Sequence, residues 1–149
     1  RFADIARKNG FQNVRIQTHG MRLADKSYAD SLVAAGINEF FISITAADAA
    51  THDTITQVPG SFDRTMAAFE LLDQIDDVTL ISNTVITSQS YQQLGGIVDN
   101  LAMLNSLVQM EFWNYWPMNE EDTKDLIVSH LELLPFLQEA IYLELLTPI

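Results

Sequence analysis

The stretch 37–64, INEFFISITAADAATHDTITQVPGSFDR, decides how the chain folds. Glu39-Phe40-Phe41-Ile42-Ser43-Ile44 is a short apolar run, closed by the small polar group Thr45-Ala46-Ala47-Asp48. A run of this length between polar and Gly/Pro signals reads as a buried strand of a parallel sheet. A helical turn is expected over 47–54. Val58-Pro59-Gly60 then breaks the chain, and Ser61 is placed to cap a helix over 62–74. In that helix Phe62, Met66, Phe69 and Leu72 recur at helical spacing. Ligands of parallel α/β sheets bind just past the carboxyl ends of strands. Ser43, Asp48, Thr51, His52 and Arg64 are therefore the first residues to consider for function.

Working outward, the same alternation continues on both sides. Residues 1–8 read as the end of a helix stopped by Asn9-Gly10. Val14, Ile16 and Thr18 alternate with Arg15 and Gln17 in a strand over 12–18, and His19-Gly20 turns the chain off its end. A helix over 26–35 carries Tyr28, Leu32 and Val33 on one face, and Gly36 ends it. After Asp76-Asp77, a third strand covers 78–86. Ser90 is placed to cap a helix over 91–104, with Leu94, Ile97, Val98 and Leu101 inward. A fourth strand, over 107–115, stops before Pro117. Asn119-Glu120-Glu121-Asp122 is a polar loop or cap. A helical tail follows over 123–134 and 136–146, and Pro135 should kink or split it. Its many Leu residues could fold over an open sheet face.

Alternating helices and strands with short loops imply parallel strands joined by right-handed crossovers. Four such units without a glycine-rich phosphate fingerprint fit part of a (β/α) barrel (TIM-barrel-like) better than a complete doubly wound fold. The expected organisation is one domain, 1–149, with βα units over 1–118 and a helical tail over 119–149. Half a barrel leaves strand edges unpaired, so self-association is expected.

Composition narrows the function classes. The 149 residues suffice for one sizeable core, and 48% are hydrophobic. A net charge of −12 with only 8 Lys plus Arg argues against nucleic-acid or anionic-membrane partners. Neither a transmembrane run nor a signal peptide is visible, and a cytoplasmic location is expected. The chain begins at Arg1 rather than Met, so it is expected to be a piece of something longer. Cys is absent, which removes thiolate nucleophiles and thiolate metal ligands from these residues.

Five segments in order carry a family resemblance: QTHGMRL (17–23), AAGINEFFISI (34–44), THDTITQVPGSFDRTMAAFELL (51–72), SNTVIT (82–87) and QMEFWNYWPM (109–118). Together they resemble the middle and later part of a radical S-adenosylmethionine (SAM) enzyme. The resemblance implies a partial barrel of which strands 3 to 6 are present. It implies reductive cleavage of SAM at a 4Fe-4S cluster to a 5′-deoxyadenosyl radical, which acts on an unknown substrate. The family's three-cysteine loop and its Gly-Gly-Glu-type segment have no counterpart here, so the cluster ligands would lie outside this chain.

By the same resemblance, Ser43 and Arg64 match residues that hold the SAM methionine carboxylate. A planar guanidinium suits that anion. Ser43 also reads as a core hydroxyl, and Arg64 as a surface arginine paired with an acid. Asn83, near a strand end, fits a ribose hydroxyl, the SAM carboxylate or a backbone partner. Thr18 and His19 stand where the family has Thr-Asn-Gly, and His19 either lines the SAM pocket or sits on its rim. His52-Asp53 suggests an acid/base pair or metal ligands, although in the family this pair closes a loop. Trp113, Tyr115 and Trp116 are core aromatics or faces for adenine or substrate. Two other classes fit the same pattern. One is a non-catalytic barrel relic serving as an interaction module. The other is a barrel hydrolase or aldolase, which would want a lysine at a strand end. Lys8, Lys26 and Lys124 all lie off the expected strands.

Overall fold

The β-rich run of residues 39–43 forms the second of four strands in the computed structural model, which describes residues 1–118, 121 and 123–146, without the side chains of 144–146. The strands are β1 (Arg15–Thr18), β2 (Glu39–Ser43), β3 (Thr79–Ile86) and β4 (Leu107–Asn114). All neighbours pair in parallel, in the order β1-β2-β3-β4. The helices are α1 (Phe2–Lys8) before β1, α2 (Lys26–Ala34), α3 (Ala49–Thr56), α4 (Ser61–Asp73) and α5 (Leu94–Leu101) between strands, and α6 (His130–Leu146) after β4. The architecture is an α/β fold with one four-stranded parallel sheet.

Alternation along the strands sorts residues onto two faces. Phe40, Ile42 and Ile44 share one cluster with Leu80, Leu107 and Met110. Ala3 of α1, Ala29 of α2, Ala68, Phe69 and Leu72 of α4, and Leu94, Ile97, Val98 and Leu101 of α5 belong to it as well. Phe41 and Ile81 sit between these positions on the opposite face and are outside the cluster, yet they are only 3% and 2% exposed. A register shift between Leu80 and Ile81 lets β4 keep Met110 inward while Gln109 pairs with Ile81.

Several helix boundaries differ from the sequence reading, each for a local reason. Ser61 does not cap α4. Gly60 is the cap, in the left-handed region at φ 76°, and Ser61 is the first helical residue. Ser90 makes no side-chain cap bond. A 3-10 turn, Tyr91–Gln93, comes first, and the α-helix is only Leu94–Leu101. The tail is not helical from 123. It starts at His130, because Ser129 Oγ accepts the Glu132 amide at 3.3 Å and donates to Glu132 Oε2 at 2.8 Å. This is one half of the Ser-x-x-Glu capping box, the hydroxyl on the Glu132 amide, with the Glu132 carboxylate taking the Ser129 hydroxyl and not its N–H, and SHLE (129–132) carries it in the sequence. Pro135 neither splits nor ends α6, which runs on through it. Packing compensates for the one lost hydrogen bond: Leu133 and Ala140 join the core, and Phe136 meets Tyr91 edge-on at 5.2 Å. The tail thus packs against α5, with Leu143 and Glu139 over Gly95, and not across the open sheet face. The expected polar loop at 119–122 falls largely outside the described residues.

Candidate functional site

The carboxyl ends of β2, β3 and β4 meet at one rim. Ser43 pairs in register with Asn83, and Asn83 with Glu111. Residues in register on parallel strands project from the same face, so hydroxyl, amide and carboxylate form a row on the face away from the cluster. Trp113 lies two residues beyond Glu111 on β4. Its ring centroid is 5.9 Å from that of Phe41 on β2, and its Nε1 donates to Glu111 Oε2 at 2.8 Å. Since β3 separates β2 from β4, an indole that reaches Phe41 must lie across β3. This accounts for Asn83 being only 3% exposed on a face that the core cluster does not cover. The Asn83 backbone carbonyl accepts Ile44 N–H at 2.9 Å, but its side-chain Nδ2 is buried without a partner. A buried amide left unpaired costs about 1–3 kcal/mol, a cost that a ligand acceptor would remove.

The loop from β2 into α4 is built from short polar side chains. Asp48 caps α3 by accepting Thr51 N–H at 2.8 Å. That bond leads the causes that hold its carboxyl below the ordinary range. Gln93 ties the same carboxylate to Ala47 N–H and to Thr51 Oγ1, which fastens the turn before α5 to α3. Asp53 accepts from Phe62 N–H, Gly60 N–H and Ser61 Oγ, closing the 57–60 turn onto the start of α4. The Phe62 amide is the leading reason its carboxyl titrates low. Asp53 thus closes the loop, the role that the family resemblance implies for the His52-Asp53 pair.

Hydrogen counting assigns the His52 tautomer. The Ser61 hydroxyl has one proton, and Asp53 Oδ1, 2.9 Å away, can only accept it. The 3.0 Å contact between Ser61 Oγ and His52 Nδ1 must then be donated by the imidazole. His52 is neutral with its proton on Nδ1, and burial holds its pKa below the ordinary 6.5 against the opposing pull of Asp53. Nε2 is left bare and without a partner, as is Thr45 Oγ1. Both residues line a cavity of about 10 Å³ with His19, Met21, Ser43 and Thr65, which is near the minimum for one water.

The sequence-derived candidates divide between these features. Ser43 and Asn83 are neighbours. His19 is exposed, lines the small cavity with Ser43, and its carbonyl accepts Thr65 Oγ1 at 3.0 Å. Arg64 is exposed on α4, and its Nε donates to the carbonyl of Met21, another wall of that cavity, at 3.2 Å. Thr18 has the register of Ile42 and so faces the helices, with its hydroxyl accepting Gly20 N–H at 3.2 Å. Glu111 carries no local signal in the sequence, because its alignment with Asn83 follows from a strand register that crosses a bulge. A second, larger cleft of about 810 Å³ opens past β3 and β4 between Ile86, Tyr115, Trp116, Pro117, Val128 and Leu133. Of the aromatics on β4 and beyond it, Phe112 packs on the core, while Trp113 and Trp116 are 47% and 83% exposed.

The residues present do not fit an iron–sulfur cluster. There is no Cys, and no group of three His, Asp or Glu is placed to share a metal ion among the described residues. They do suit a small polar ligand with an acceptor for Asn83 Nδ2. No helix among the described residues is long and apolar enough to cross a membrane. No family model matches the chain. It is 36% identical over 84 residues to an AdoMet-dependent heme synthase of Methanosarcina barkeri (strain Fusaro / DSM 804). The matched part is 55% of this chain and 24% of that protein, so the chain spans about a quarter of the length of this curated relative.

Proposed function

We propose that the chain is part of a radical SAM enzyme, a partial (β/α) barrel whose rim at Ser43, Asn83 and Arg64 holds the methionine carboxylate of SAM. The observation that carries this reading is the buried, unpartnered Asn83 amide beside Ser43 at the carboxyl end of a parallel sheet. The similarity to an AdoMet-dependent heme synthase supports it. SAM, once reduced at a cluster held by residues other than these, would supply the radical. The chain's own residues bind and orient. Ser43 and Asn83 donate to the carboxylate, and Arg64, whose Nε is already anchored on Met21, can turn its remaining N–H groups toward the rim. His19 and Thr18 shape the loop that carries Met21.

Calorimetric titration of SAM tests it. Arg64→Ala should weaken SAM by on the order of 1.5 kcal/mol, about tenfold, through loss of a charge-assisted pair. Arg64→Lys should recover part, because a point charge cannot copy the planar fork. Ser43→Ala should cost about 1 kcal/mol. Wild-type affinity in Arg64→Ala would remove Arg64 from the site, and absence of SAM binding by a full-length protein that carries the cluster would remove the reading.

A further inference from the structure

Two buried side-chain atoms without a partner, His52 Nε2 and Thr45 Oγ1, belong to residues that line one cavity of about 10 Å³. They come from different parts of the fold. Thr45 lies two residues past the end of β2, and His52 is in α3. Their chemistry is complementary. With its proton on Nδ1, the His52 imidazole offers Nε2 as an acceptor only. The Thr45 hydroxyl has one proton to give. The two atoms do not bond to each other, since each is without a partner within hydrogen-bond distance. A bridge between them must accept at one end and donate at the other, in a space of about one water.

The remaining walls favour a neutral bridge. The Thr56 and Ser61 hydroxyls already bond to each other, and the Thr65 hydroxyl donates to the His19 carbonyl. Both Asp53 oxygens are taken by Ser61 Oγ and by the Gly60 and Phe62 amides. No group of three His, Asp or Glu is placed to hold a metal ion among the described residues. A cation here would be buried without a counter-charge.

We infer that this cavity holds one water, which donates a proton to His52 Nε2 and accepts the proton of the Thr45 hydroxyl. The water completes a series of fixed direction. Thr45 donates to the water, the water to Nε2, Nδ1–H to Ser61 Oγ, and the Ser61 hydroxyl to Asp53 Oδ1. Every link points toward the carboxylate, so the charge on Asp53 polarises the whole series. The segment that leaves β2 is thereby tied through α3 to the first turn of α4. Ser43 lines the same cavity, but the water does not depend on what the rim binds.

The test is NMR of the ¹⁵N,¹³C-labelled chain above pH 6.5, where His52 is neutral. The water line is expected to give rotating-frame cross-peaks to the His52 ring Hδ2 and the Thr45 methyl. Thr45→Val keeps the shape and removes the hydroxyl. It should weaken the cross-peak to His52 and move the Nε2 resonance downfield, toward that of a bare nitrogen. Thr45→Ser keeps the hydroxyl and should retain both signals. His19→Ala should leave Nε2 in place. Absence of the cross-peak to His52 in the wild type overturns the inference, and so does an unmoved Nε2 in Thr45→Val. A downfield move of Nε2 in His19→Ala also overturns it, because the donor is then the His19 imidazole, which lines the same cavity. Should Thr45→Val not fold, the wild-type cross-peaks and the His19→Ala resonance decide.

Discussion

Replacing Ser61 by Ala removes one buried oxygen and tests the hydrogen-bond accounting of the loop beneath the rim. Ser61 is fully buried, and its Oγ meets His52 Nδ1 at 3.0 Å, Thr56 Oγ1 at 2.7 Å and Asp53 Oδ1 at 2.9 Å. The Thr56 hydroxyl can turn to the Asp53 carbonyl, already 3.3 Å away. Asp53 is partly open to solvent and keeps two backbone donors, so its share is left out. What remains is the His52 Nδ1–H, stranded in a residue only 2% exposed. An orphaned buried donor costs about 1–3 kcal/mol, so Ser61→Ala should destabilise by about 2 kcal/mol. For a chain of this length that lowers Tm by roughly 4–8 °C. Urea unfolding gives the free energy directly, and a cycle with His52→Leu isolates the pair. In the His52→Leu background Ser61→Ala should cost much less than in wild type. Long-range ¹H–¹⁵N correlation should place the imidazole proton on Nδ1. Additive costs, a Ser61→Ala loss below about 0.5 kcal/mol, or a proton on Nε2 would each refute the accounting.

Stability should fall in two steps with acid. The folded pKa of His52 lies below 6.5, so the unfolded chain takes up that proton first. The His52 contribution is complete above 6.5 and is lost as pH falls from there through its lowered value. Asp25, Asp48, Asp53 and Asp73 all titrate below their ordinary 3.8, so a second loss begins near that value and continues downward. His52→Leu should flatten the first step in urea midpoints and leave the second. Gly20 and Gly10 both have positive φ, 78° and 88°, but a Cβ at Gly20 would come 2.8 Å from Ile42 Cγ2, whereas at Gly10 it meets nothing within 4 Å. Gly10→Ala should therefore cost only the backbone term, about 1 kcal/mol. Gly20→Ala should cost a further 1–3 kcal/mol or so from overpacking, and equal losses in thermal melts would refute the steric part.

How much could be read in advance depended on whether the signal was local. The four strands are apolar or alternating runs punctuated by Gly10, Gly36, Asp76-Asp77 and Pro117, and short-range sterics with burial place them without reference to the rest of the chain. Their parallel order follows from the intervening helices. Ser129 with Glu132 is also a local signal, masked by the Leu-rich composition that reads as helix from 123. Other features depend on juxtaposition. Ser61 looks like a cap in sequence. It becomes a buried node because Asp53, eight residues earlier, supplies the acceptor and Gly60 takes the left-handed turn. Thr18 lies at a strand end like Ser43, yet pairing with Ile42 turns it to the helix side. Asn83 could be marked as a buried amide from its strand alone. That it lacks a partner, lies between Ser43 and Glu111 and is covered by an indole from β4 was decided by the register across three strands. No local pattern encodes that register, because it is set by how the helices pack on the other face.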